Sequence, residues 1–180
     1  LVDPSSIVID AKSGVSGAGA ALTEITHFPE CNENLRAYAV ASHRHNPEID
    51  QVLGEVSGKK ITTTFVPHLI PMNRGIHSTV YATLSAKADT AKLHALYRDF
   101  YKGKYFVRVL DQGRFPATKY VSGSNFCDIN VVADERSGRV IVMSVIDNLV
   151  KGAAGQAVQN MNIICGLDER TGLDGSPLYP

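Results

Sequence analysis

The stretch of this 180-residue chain best suited to moving protons is His43-Arg44-His45-Asn46-Pro47-Glu48-Ile49. Two imidazoles flank a guanidinium, and a carboxylate follows three residues after the second. An imidazole, with an ordinary pKa of about 6.5, gives and takes protons near neutral pH. Glu48 is placed to orient His45, and Arg44 to hold an anion. A His-x-His pair also suits zinc, although no third ligand follows at a telling spacing. A solvated polar turn without chemistry is the remaining reading. Pro47 biases Asn46 away from helix, so the cluster is expected where a strand ends and a helix begins.

Three other stretches have compositions that fit ligand contact. Lys12-Ser13-Gly14-Val15-Ser16-Gly17-Ala18-Gly19 follows a β-branched run. Its glycines let backbone N–H groups approach an anion closely. The spacing is neither the dinucleotide fingerprint nor a P-loop, so a plain turn fits as well as a phosphate or ribose contact. Arg74, before Gly75, has a donor fork that suits a carboxylate or phosphate; a structural arginine is the equal alternative. His68 reads as a hydrogen-bonded core histidine. Asp147 and Asn148 form a capping pair before an expected helix over 147–162. In that helix Ala154, Ala157, Val158 and Met161 share a face by spacing. Gly152 and Gly155 cost about 1 kcal/mol each inside a helix, which close approach by a ligand or another backbone would explain.

The elements that must hold these groups are mostly strands. Patterning predicts strands over 7–10, 38–41, 60–66, 78–84, 106–110, 118–121, 126–133 and 140–146, with a hairpin turn at Ser137-Gly138. Helices are expected from 20 to 25, ending by Phe28-Pro29-Glu30, over 48–53, and over 90–101. In the last, Asp89 is the cap and Leu93, Leu96, Tyr97 and Phe100 form one face. Two prolines and a glycine argue against regular structure within 67–76. The sum is an α+β domain with a mixed, mainly antiparallel sheet and helices on one face.

Bulk composition narrows the function classes. Hydrophobic residues make up 44% and charged residues 20%, which is ordinary for a globular domain. The formal net charge is zero, so there is no electrostatic footprint for nucleic acid or an anionic membrane. No apolar run reaches the ~20 residues of a membrane span. Cys31, Cys127 and Cys165 are odd in number and far apart, which suits a reducing compartment rather than a disulfide framework. Leu1 is not an initiator, and the opening is expected to continue from something longer. The tail over 166–180 is expected to lie across the surface.

Taken together and in order, five motifs resemble the N-acetyl-gamma-glutamyl-phosphate reductase family of arginine biosynthesis. They are the Ser13–Gly19 loop, the His43–Ile49 segment, Pro71-Met72-Asn73-Arg74-Gly75-Ile76, Gly123-Ser124-Asn125-Phe126-Cys127, and the stretch from Asp147 to Asn162. The Ser-Gly-Ala-Gly and Asp-Asn-Leu-x-Lys-Gly-Ala-Ala motifs are also similar to aspartate-semialdehyde dehydrogenases; the His-Arg-His-x-Pro-Glu-Ile motif favours the first family. The resemblance implies residues 1–180 as one catalytic and dimerisation domain, like the C-terminal domain of glyceraldehyde-3-phosphate dehydrogenase. It implies a cytoplasmic, NADP-dependent reduction of an acyl phosphate to an aldehyde by a homodimer or homotetramer. A cysteine nucleophile would be assisted by His45 or His43, with Arg44, Glu48 and Arg74 on the substrate side. Ser13, Ser16, Gly17, Asn148, Lys151 and Gly152 would line the cofactor side, and no metal is implied. Two departures stand out. The family's Gly-Cys-Tyr-Pro-Thr nucleophile motif and its nucleotide-binding domain are expected upstream of this chain, and Ala20 stands where the family usually has arginine. Other readings are an aspartate-semialdehyde dehydrogenase-type reductase and a non-catalytic oligomerisation domain.

Overall fold

A computed structural model describes residues 1–178. One seven-stranded sheet organises it. The strands are β1 (Val8–Ser13), β2 (Arg36–Ala37), β3 (Thr64–Leu69), β4 (Ile76–Thr83), β5 (Val107–Val109), β6 (Cys127–Asp134) and β7 (Arg139–Ile146), in the spatial order β2-β3-β1-β4-β7-β6-β5. Four neighbouring pairs are antiparallel; β1–β3 and β5–β6 are parallel. The mixed, mainly antiparallel α+β expectation therefore holds. The helices are α1 (Phe28–Cys31), α2 (Asn46–Ser57), α3 (Thr90–Phe100) and α4 (Gly155–Ile164). No helix among the described residues is long and apolar enough to cross a membrane.

Register separates the two sheet faces. Ile9, Ala11, Phe65, Val80, Ala82, Val131, Val140 and Val142 fall on one face by strand alternation. Leu93 and Tyr97 of α3 pack onto that face with Ala82, Val131 and Val140, and His43, just before α2, packs onto Phe65. The other face carries Val8, Asp10, Lys12, Val66, His68, His77, Tyr81, Ile141 and Met143. The 111–125 loop folds toward it over β5 and β6, where Asn130 donates to the carbonyls of Asp111 and Arg114. No described helix covers it over β1, β3, β4 and β7.

Several elements differ from expectation for local reasons. Residues 20–25 do not start a helix. Helix α1 begins where one was expected to end, because Pro29 presets the helical φ of a first turn. The strand expected over 38–41 is a turn, with Ala39 and Ala41 at φ 44° and 55°; strand pairing ends at Ala37. Helix α2 is longer than expected. It accepts Pro47 in its first turn, runs through Gly54, and stops at left-handed Gly58. Strand β3 starts later and passes through Pro67. A strand residue points its N and O the same way. The Pro67 carbonyl accepts from Tyr38 N–H, so its missing N–H faces the side of the two-residue edge strand β2, where it costs little. The stretch over 118–121 is a 3-10 turn.

Two helix faces also need correction. In α3 the Asp89 cap forms as expected, accepting from Lys92 N–H at 2.8 Å. Its buried residues, however, are Leu93 and His94, while Leu96 and Phe100 are exposed. At the root of α4 the backbone makes a π-turn over Val150–Ala154, with bonds from Gly152 N–H to Asp147 O and from Ala154 N–H to Leu149 O. The extra residue turns the helix. Gly155, Gln159 and Asn162 face inward, while Ala154, Ala157 and Met161 face out. Cys165, which follows α4, is exposed. The described part of the tail lies across the surface, and Leu178 N–H donates to Ser122 O.

Candidate active site

Register places the polar motifs at one end of the sheet. Ser13 ends β1 opposite Ile76 at the start of β4; Ile76 lies opposite Ile146 at the end of β7; Ile146 lies opposite Cys127 at the start of β6. The loops leaving these ends, 14–17, 72–75, 123–125 and 147–152, therefore converge. Gly14 N–H donates to Gly75 O, and Val15 and Ser16 N–H donate to Met72 and Asn73 O. Gly14 has to be glycine, since a Cβ there would sit 2.8 Å from Asn73 O.

Asn148 is the knot of this junction. Its Oδ1 accepts from Gly75 N–H at 2.6 Å, and its Nδ2 donates to Ser16 Oγ at 2.9 Å. Ser16 Oγ in turn donates to Asn73 O. Gly17 lies against the same group: a Cβ there would come within 3.3 Å of Ser13 Oγ and 3.6 Å of Asn148 Nδ2. Ser13, Ser16, Gly17 and Asn148 are thus brought together. Gly152 lies behind them against Ile146, where a Cβ would sit 3.2 Å from Cδ1.

Asp147 is fully buried, with 0% exposure. Its Oδ1 accepts from Leu149 and Val150 N–H at 2.8 and 3.1 Å, and its Oδ2 accepts from Gly123 N–H at 2.7 Å. Arg74 Nε stands 3.3 Å from Oδ2 as an ion pair without an aligned hydrogen bond. Arg74 therefore has an internal partner, although its side chain remains about a third exposed. Sequence reading saw Asp147 as half of a capping pair. It does cap, but its grip on Gly123 and Arg74 spans separations that no local pattern signals.

The histidine segment forms a second group. His43 is half-buried in an aromatic bracket, its ring 5.6 Å from Tyr38, 5.3 Å from Phe65 and 4.8 Å from His45. Its Nδ1 accepts from His45 N–H at 3.2 Å, which places the proton of the neutral ring on Nε2. Burial, then the neighbouring His45 and Arg44, hold His43 below the ordinary imidazole value. His45 occupies the position preceding α2, with its ring exposed. Glu48 is in the first turn of α2 and exposed, and it makes no hydrogen bond or ion pair with His45 in the described structure. Arg44 is exposed beside them. Tyr38 and Phe65 were not foreseen as partners, because the turn that folds Tyr38 back was expected to be strand. Phe65, under His43, and Leu69, opposite Ser13, are four residues apart on β3, or about 13 Å. The two groups flank a span wide enough for an extended small molecule.

Lys151 falls outside both groups. Its Nζ donates to Gln159 Oε1 at 2.7 Å and sits 5.6 Å over the Phe106 ring, in a cleft of about 310 Å³ that Glu169 also lines. Cys127 is close by. Burial pushes its thiol up to about 11, the opposite of what a nucleophile needs. Cys31 is buried in α1, with its thiol directed at the Thr26 and Phe28 carbonyls.

The family model described as "Semialdehyde dehydrogenase, dimerisation domain" matches residues 1–148. The chain belongs to that family. Over all 180 residues this dimerisation domain is 59% identical to the N-acetyl-gamma-glutamyl-phosphate reductase of Pelotomaculum thermopropionicum and 57% identical to that of Desulforamulus reducens. It spans 52% of each, so about half the length of these curated relatives. Among solved structures, a probable aspartate-semialdehyde dehydrogenase from Pseudomonas aeruginosa superposes with a TM-score of 0.70. That match covers 91% of this chain and 56% of the other at 17% identity, a likeness of fold.

Proposed function

We propose that this domain is the substrate-handling and dimerising half of a cytoplasmic, NADP-dependent N-acetyl-gamma-glutamyl-phosphate reductase. The observation that carries this reading is identity of 57–59% along the whole chain to relatives of that name, joined to the histidine pair held at the start of α2. The nucleophile would be a thiol from the other half of the protein, as the family resemblance implies; within this chain burial holds the Cys127 thiol protonated and Cys31 is enclosed. His45, exposed on the turn, takes that thiol's proton. His43 lies beneath it, neutral and fixed by the Tyr38–Phe65 bracket, and sets the ring's position in place of Glu48. Arg44, beside the positive end of α2, meets the anionic end of the substrate.

The Ser13–Ser16–Gly17–Asn148 junction suits one wall of the cofactor site. Gly17 leaves room for a planar ring, and Asn148 Nδ2 keeps one hydrogen beyond that given to Ser16 for a carboxamide oxygen. The bound nicotinamide supplies hydride. Asp147 positions this wall through Leu149, Val150 and Gly123 and draws Arg74 toward it. The apolar side of α4, with Met161 52% and Ile164 84% exposed, docks on the remainder of the protein. The open sheet face pairs with a second copy, in keeping with the family's description.

The test is NADPH oxidation by the full-length protein with N-acetyl-gamma-glutamyl phosphate and with aspartyl phosphate. Turnover of the first is expected, and His45→Asn should slow acylation by roughly 10²–10⁴. Preference for aspartyl phosphate would overturn the substrate assignment. An equal loss of activity in Glu48→Gln would restore Glu48 as the orienting group.

A further inference from the structure

The open sheet face is not uniformly apolar. Its strands place His68, Lys12 and His77 side by side in one row, since Lys12 pairs with His68 on β3 and with His77 on β4. The next row is Val66, Asp10 and Thr79, and the one after is Thr64, Val8 and Tyr81. Beyond them β7 adds Met143 and Ile141 opposite Thr79 and Tyr81, while Val145, opposite His77, is already buried within the chain. A basic row of three groups therefore borders an apolar field, and one carboxylate serves all three.

That carboxylate is shared unevenly. Lys12 Nζ is bound to Asp10 Oδ2, and His68 Nδ1 stands 3.1 Å from Oδ1 without an aligned hydrogen bond. His77 has no carboxylate of its own. The charged groups bearing on it are Lys12, which opposes its protonation, and the more weakly acting Asp10. Its cross-strand neighbour on β7 is Val145, and β2 adds only Ala37 beside His68. With both imidazoles neutral, Lys12 and Asp10 cancel. A proton added to His77 leaves a cation with no carboxylate partner on this face, and one added to His68 must share Asp10 with Lys12, so the row as a whole gains uncompensated charge.

We infer that the row His68–Lys12–His77 makes homodimerisation through the open sheet face pH-sensitive, the dimer holding when both imidazoles are neutral and loosening when they are protonated. The inference rests on the homodimer reading above and adds its regulation. Covering the face strips water from the row, and an unpaired buried cation is strongly disfavoured. The symmetry of a twofold contact doubles the effect, because the same patch meets itself. Burial already holds His77 below the ordinary imidazole value in the single chain, so covering it acts in the same direction. The penalty falls on both protomers, so it enters the dimer dissociation constant twice.

The experiment is sedimentation of the full-length protein at pH 8 and pH 5.5, with far-UV circular dichroism at both. The expected result is an intact fold at both values and a dissociation constant at least tenfold weaker at pH 5.5. The doubly substituted His68→Gln/His77→Gln protein should show less than a threefold difference. A dimer equally tight at both pH values overturns this inference and leaves the dimer reading standing, whereas a monomer at both overturns the two together. Loosening that persists in the double variant, or that accompanies loss of the circular dichroism signal, also overturns it.

Discussion

Replacing Asp147 with asparagine keeps the side chain's volume but cannot keep all four of its contacts. The carboxylate takes N–H bonds from Leu149 and Val150 on one oxygen and from Gly123 on the other, and it is the anion facing Arg74. An amide has one accepting oxygen. If that oxygen stays on Leu149 and Val150, its NH₂ is turned toward Gly123 N–H, donor against donor. A buried donor left without an acceptor costs about 1–3 kcal/mol. Breaking a fully buried ion pair costs roughly 3–5 kcal/mol, but Arg74 is about a third exposed and water recovers much of that. We therefore expect Asp147→Asn to destabilise by about 3 kcal/mol. At about 2–4 °C per kcal/mol for a domain of this size, the melting temperature should fall by about 6–12 °C. Urea unfolding of wild type, Asp147→Asn, Arg74→Met and the double variant would measure it. Because the Arg74–Asp147 pair is lost in either single variant, the two penalties should overlap by about 1 kcal/mol or more in the double. A loss below 1 kcal/mol for Asp147→Asn, or full additivity with Arg74→Met, would refute the claim that this carboxylate binds the loops together.

Gly155→Ala should destabilise by about 1–3 kcal/mol despite alanine's better helix propensity, because its Cβ would lie 2.5 Å from Asn125 Oδ1 and 2.8 Å from Val150 O; the urea midpoint reports it. His43 is held below its ordinary value when folded, so the unfolded chain binds the proton more readily. Its contribution is then present above about pH 6.5 and is lost as pH falls through the lower folded value. An NMR titration should find the His43 midpoint below that of an unfolded peptide, and a midpoint above it would contradict the burial argument. The Cys127 thiol, pushed up to about 11 by burial, should resist iodoacetamide at pH 8 over a period that fully alkylates the urea-unfolded chain, as read by peptide mass.

The strands with clean alternation, such as β4, β6 and β7, and the Asp89-capped helix were legible because their signals are local. The hairpin at Ser137-Gly138 was legible for the same reason, with Gly138 at φ 67°. What was hidden depends on partners distant in sequence. Pro67 sits inside a strand because its missing donor faces a short edge strand. The face of α4 was misjudged because the wide turn at its root shifts the phase of every residue after it. At the site, the resemblance grouped Ser13, Ser16, Gly17, Asn148, Lys151 and Gly152, and the structure brings the first four together. It separates Lys151 from them, since that side chain reaches Gln159 eight residues on. Spacing also suggested Glu48 as the partner of His45, whereas the supports of the histidine pair are Tyr38 and Phe65, on either side of it in sequence.

The π-turn at the root of α4 acts as a rotary offset. In an α-helix each residue advances the chain by about 100°, so removing one residue from Val150–Ala154 would restore ordinary pairing and swing the helix by about that angle. Gln159 and Asn162 would leave the Asn125, Glu169 and Thr171 groups they now bond, and Met161 would move toward a polar interior. The single surplus residue thus decides which side of α4 is shown to the rest of the protein. An alignment that closes this position as a gap would misassign the whole face, even with every later residue correctly matched.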